Sequence, residues 1–184
     1  MTGVDAFERA GRFLFRWRGL IGTLGFLVVF WLGRPGVVSC LAGLPLLLAG
    51  LGLRGWAMGY IGAEARAGEV GAGAYTRSGP YRWFKLSARA PAGHPLYFGN
   101  FLLVAGTLVC FRTPVLPGLA VVLLFLLEYL AIARAEERFL ARKFRGVASG
   151  AARFDRARLR PEWRTALTVA AVFGLALWRA LGGW

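Results

Sequence analysis

Residues 93–132 read GHPLYFGNFLLVAGTLVCFRTPVLPGLAVVLLFLLEYLAI. Residues 96–111 are apolar, Arg112-Thr113-Pro114 is a short turn, and residues 115–132 are apolar again. Proline is favoured at the first position of a helix, because the N–H it lacks would have had no helical partner there. Pro95 therefore opens the first of two helices and puts His94 at its cap. The stretch predicts a helical hairpin set in a membrane, and the chain on either side is read outward from it.

The flanking chain alternates apolar runs with charge. It has 184 residues, 57% of them hydrophobic, with a formal net charge of +14 and a mean hydropathy of +0.54. An integral membrane protein combines these values because apolar spans and basic loops separate along its sequence. A charge of this size also occurs in nucleic-acid binders. Here the arginines flank apolar runs and form no stripe on a polar domain, which argues against nucleic acid.

Upstream, residues 1–18 are basic and aromatic, with Arg9, Arg12, Arg16 and Arg18, and are expected to lie along an anionic bilayer surface. Residues 20–32 are apolar with no convincing small-residue cleavage site after them, so a retained first span is expected. Gly33-Arg34-Pro35-Gly36 reads as a turn. A second apolar run, 37–58, carries Arg54 near its end; Gly43, Gly50, Gly52, Gly55 and Gly59 dot that helix, small residues that allow close packing in lipid. Residues 60–93 are too polar to span. Downstream, the charged residues 133–161 include Phe139, Leu140, Phe144 and Val147 at helical spacing. They predict that the fourth span leaves the membrane as an amphipathic helix ended by Pro161. Residues 165–178 form a last apolar run, short for a crossing, with Arg164 and Arg179 placed to snorkel to the two surfaces. Cys40 and Cys110 belong to no metal pattern and read as small buried hydrophobes; both fall near one membrane face, which leaves a disulfide as the alternative.

The expected fold class is all-α: a polytopic membrane helix bundle of about five spans, with cytosolic loops and an amphipathic cytosolic helix. Residues 1–60 would anchor it, 61–164 would form the functional core, and 165–184 a C-terminal apolar helix. Segments 1–18, 60–93 and 133–164 hold nearly all the arginines, whereas the turns at 33–36 and 112–114 hold one each. The positive-inside rule then puts the N-terminus and the basic segments in the cytosol, in a bacterial-type inner membrane.

Few residues could carry chemistry. His94, the only histidine, is either a cap or a site residue. Asn100 lies inside an apolar span and needs a partner, so it faces the protein interior or a cavity. Gly99 beside it would let a ligand or another backbone come close. Glu128 is an ionisable group within the fourth span, a site hypothesis by default, and Glu136 lies eight residues on, on roughly the same side. Read blandly, Glu128 pairs with an arginine, and Glu136 and Glu137 are solvated charges beside Arg134 and Arg138.

Gly79-Pro80-Tyr81, then His94-Pro95-Leu96-Tyr97-Phe98-Gly99-Asn100, an apolar hairpin and Glu136-Glu137-Arg138-Phe139-Leu140 together resemble the core of the isoprenylcysteine carboxyl methyltransferase and phospholipid methyltransferase family. The resemblance covers about residues 79–161. It implies a small integral membrane enzyme that uses S-adenosylmethionine on a lipid or lipid-like acceptor, a carboxylate or an amine. It implies that His94, Tyr97, Gly99 and Asn100 line the cofactor pocket, that Tyr81 packs near its mouth, and that Glu136 and Glu137 close it. The catalytic candidates are Glu137, His94 and Arg89. The acceptor would enter from the lipid between helices. This chain departs from the family pattern in three places. The gap from Trp83 to Gly93 is longer than usual, Gly93 stands where the family has arginine, and Ser149 and Ala152 stand where it has tyrosines. Arg89 is the candidate to replace that arginine. Two other functions fit the same pattern: a sterol-reductase-like membrane reductase, and a lipid-binding or scaffold protein that has lost catalysis.

Overall fold

The computed structural model describes residues 3–61, 78–84, 93–143 and 153–182, and the side chains of residues 3–12, 15 and 135–143 lie outside that description. Among the described residues the chain forms five α-helices and no strand. They are α1 Gly3–Leu32, α2 Val37–Ile61, α3 Pro95–Cys110, α4 Val115–Lys143 and α5 Glu162–Ala180. The all-α class follows from the apolar runs. By length and composition, α2 and the Val115–Arg134 part of α4 can cross a membrane, and α3 is a shorter apolar helix. Only 28% and 17% of those two apolar windows are buried, unlike the core helix of a soluble protein. Leu41, Leu48, Leu116, Leu119 and Leu123 point outward and are exposed. Such apolar faces mark association with a membrane.

The helices pack as two main pairs, α1 on α4 and α2 on α3, with α5 laid against α2 and α3. The α2–α3 seam depends on absent side chains. A Cβ at Gly43 would fall 2.4 Å from Cys110 Sγ, and one at Gly106 would fall 2.9 Å from the Leu47 side chain. Cys40 and Cys110 lie in this seam as free, fully buried thiols. Each reaches toward the other's backbone carbonyl, at 3.9 and 3.7 Å, so no disulfide joins them.

At the end of the bundle away from the basic segments, the two turns lock together. The Ser39 hydroxyl donates to Cys110 O at 2.9 Å. Phe26 and Phe30 pack on the buried Phe111 ring, at 5.8 and 6.1 Å. The α3 terminus is a Schellman turn, in which Arg112 N–H donates to Val109 O and Thr113 N–H to Leu108 O. Arg112 takes the left-handed position, φ 46°, that glycine usually fills. The Arg179 guanidinium donates to Phe30 O, tying the end of α5 to the end of α1.

Three boundaries differ from expectation. The basic segment and the first apolar run form one helix of 30 residues, α1, because no proline separates them and Gly19 and Gly22 cost only propensity. The amphipathic helix ends at or after Lys143 and does not run to Pro161: residues 153–155 are not helical and Arg156–Leu159 is a single 3₁₀ turn. Tertiary bonding overrides helical spacing here. Asp155 caps the turn by accepting from Ala157 N–H at 2.9 Å. Its own N–H donates to Gly59 O at 2.9 Å, and the Arg158 guanidinium donates to Tyr60 O at 2.6 Å. These donors satisfy carbonyls that a helix end leaves unpaired. Finally, α5 extends over 19 residues, past both ends of the run 165–178.

Candidate functional site

The Gly79-Pro80-Tyr81 stretch forms a 3₁₀ turn, Gly79–Arg82, docked on the end of α2. Gly79 has φ +55° and a Cβ there would meet the Tyr60 ring at 2.4 Å, so both its conformation and its packing call for glycine. Tyr81 is buried with Ala57 and Ile61. From this turn two backbone bonds reach the start of α3: Gly93 N–H donates to Tyr81 O at 2.8 Å, and His94 N–H to Phe84 O at 2.7 Å. The long insertion is thus closed at its base by a clasp. A Cβ at Gly93 would sit 2.6 Å from Tyr81 O, so this position has no room for a side chain. The backbone of Tyr81 and Phe84 makes the glycine necessary.

The clasp holds His94 at the N-cap of α3, 7% exposed. Its imidazole stacks on the Tyr97 ring, with centroids 5.1 Å apart and planes 3° from parallel. Tyr97 meets Tyr129 edge to face at 4.9 Å, and Tyr129 stacks on Phe125 at 4.2 Å. An aromatic column therefore runs from the start of α3 into α4.

Below it lies a polar chain through four helices. Arg54 of α2 is 8% exposed. It forms a two-pronged pair with Glu162 at the start of α5, Nε to Oε2 at 3.1 Å and Nη2 to Oε1 at 3.0 Å. Its Nη2 also reaches Thr165 Oγ1 at 3.4 Å, and its Nη1 donates to Asn100 Oδ1. Asn100 Nδ2 in turn donates to the Tyr129 hydroxyl at 2.8 Å. Asn100 finds its partner in protein, and Gly99 makes room for a side chain: a Cβ there would fall 2.6 Å from Arg54 Cγ.

A cavity of about 640 Å³ opens between α1, α3, α4 and α5. Its wall is apolar apart from Arg18, Glu128 and a few threonines. Glu128 is 5% exposed, and its Oε1 has no hydrogen-bond partner among the described residues.

The structure thus brings Tyr81, His94, Tyr97, Gly99 and Asn100 together at one end of the bundle. Glu136 and Glu137 lie on the last turns of α4, and their side chains are outside the described residues; so are Arg89, Ser149 and Ala152. Arg54, Glu162 and Tyr129 carry the polar chain, and none stands out in the sequence reading. The signal for Arg54 was present: an ionisable group inside an apolar helix implies a named partner. No protein-family model matches the chain, and neither a curated protein nor a solved structure matches it.

Proposed function

We propose that the protein is an integral membrane methyltransferase that moves a methyl group from S-adenosylmethionine to a lipid-like acceptor. The bundle would span the membrane with all five helices, the basic end in the cytosol by the positive-inside rule. The observation that carries the reading is the clasp, which joins the Gly79-Pro80-Tyr81 turn to the His94-Pro95 start of α3 through bonds of 2.8 and 2.7 Å. Two motifs separated in sequence thereby become one wall beside α4, whose later turns bear Glu136 and Glu137.

The residues present suit the cofactor in part. The electron-rich rings of Tyr97 and Tyr129, on which His94 and Phe125 already stack, favour a nearby cation. Carboxylates on α4 would accept from ribose hydroxyls and an α-amino group. Asn100 and Gly99 are also engaged with Arg54. When bound, the cofactor supplies an electrophilic methyl. The chain's own task is to position the acceptor in line and to exclude water, which accounts for much of the acceleration in such displacements. His94, buried at the cap, is placed to take a proton where the acceptor is an amine, with Glu137 as the other base. Arg89 would orient an anionic group.

The test is thermal stability of the full chain in detergent micelles. S-Adenosylmethionine or S-adenosylhomocysteine at about 1,000 times its dissociation constant should stabilise the fold by about 4 kcal/mol. A shift with NADPH alone would favour the reductase instead. No shift with either methyl cofactor at millimolar concentration overturns the reading.

A further inference from the structure

We infer that the cavity between α1, α3, α4 and α5 is a binding site for a single-chain amphiphile whose head donates a hydrogen bond, an alcohol or an ammonium, with Glu128 as the acceptor. The volume of about 640 Å³ lies within the range of ligand pockets, about 300–1,000 Å³. Its walls are those of a chain-binding slot: Phe26, Val104, Leu108, Leu124 and Val172 line it. The room is built in. Gly19, Gly22 and Gly25 recur every three residues along α1, all three line the cavity, and a Cβ at any of them would meet nothing within 4 Å.

The head chemistry follows from Glu128. At a pH where Glu128 is ionised its carboxylate has acceptor sites only, so its complement is then an N–H or O–H. A buried polar atom without a partner costs free energy, and a donor seated against the Glu128 carboxyl group would recover part of it. Of the four threonines on the wall, Thr23, Thr107 and Thr168 each donate to a carbonyl of their own helix, Gly19 O, Leu103 O and Arg164 O, and Thr165 is engaged with Arg54. Arg18 lines the same cavity, half-buried, and its positive charge reaches Glu128 while leaving Oε1 without a hydrogen bond. Tyr81, His94 and Tyr97 are absent from the wall, so the site is separate from the clasp. The inference rests on the bundle lying in a membrane and not on methyl transfer.

The experiment uses the full chain in phosphatidylcholine nanodiscs and a photoreactive diazirine-bearing dodecylamine, with labelled peptides mapped by mass spectrometry. Label is expected on the cavity faces of α1, α4 or α5. Dodecylamine and dodecanol should compete for it, separating the two head types, and laurate should compete at least about tenfold less well, the value of one hydrogen bond to a buried charge. Glu128→Gln should narrow that gap to less than threefold. Gly22→Leu, which adds a side chain where nothing stands and favours the helix, should abolish labelling while leaving thermal stability intact. Equal competition by laurate, or label on the outward leucines of α4, overturns the inference. If it fails while S-adenosylhomocysteine still stabilises the protein, the transferase reading stands alone.

Discussion

Arg54 and Glu128 make an instructive pair. Both are ionisable groups in apolar helices, 8% and 5% exposed. Arg54 is satisfied on every side: Glu162 takes two of its nitrogens, and Asn100 and Thr165 take further bonds. Glu128, a residue of a cavity wall, has a carboxyl oxygen with no partner among the described residues. Sequence alone presents them as the same kind of feature. The difference lies in what surrounds them, and it separates a group that holds helices together from one that is ready to hold something else.

That contrast can be broken by substitution. The largest effect is expected at Arg54. Arg54→Leu strands the Glu162 carboxylate and leaves Asn100 Oδ1 without its donor, and should destabilise the bundle by about 3–5 kcal/mol in reversible unfolding in mixed micelles. The double variant Arg54→Leu with Glu162→Leu should regain most of that loss, because no lone charge remains buried. A single variant within 1 kcal/mol of the parent would show that the pair holds nothing. Gly99→Ala should come next, at about 1–3 kcal/mol, since its Cβ would lie 2.6 Å from Arg54 Cγ and force the guanidinium off its partners. Loss of stability in Gly99→Ala should be much smaller in an Arg54→Leu background, which a double-mutant cycle reads directly. The smallest effect is expected at Glu128. Glu128→Leu removes an unsatisfied oxygen and should change stability by less than about 1 kcal/mol, or raise it. A loss above 2 kcal/mol would show that Glu128 has a structural partner, and the contrast with Arg54 would collapse.

The sequence shows the five helices of the described residues and where α2, α3 and α4 start, because apolar runs and turn residues are local signals. Pro95 marks the start of α3 to the residue. Continuity of α1 is harder to read, since its charge pattern suggests two environments while its backbone has no breaker. The 3₁₀ turn at Arg156–Leu159 is invisible locally: it exists because α2 offers open carbonyls at Gly59 and Tyr60. The site divides the same way. His94, Tyr97 and Asn100 are legible from motif and spacing. Arg54 is visible as a charge in an apolar run, but its partner lies 108 residues away, and nothing near either residue names the other. Gly93 shows the converse: a departure that reads as a loss in sequence is a steric requirement once Tyr81 O lies 2.6 Å from its missing Cβ.

The Arg54–Glu162 pair also has a place in time. At about 5–20 residues per second, translation puts about 5–20 s between the two residues. Through that interval the nascent α2 carries a cation whose carboxylate has not yet been made. Docking of α5 brings Glu162 to it, so the charge of α2 is balanced only once that later helix is in place. A chain stopped before Glu162 is left with a lone arginine in an apolar helix, a costly state that the finished bundle does not have.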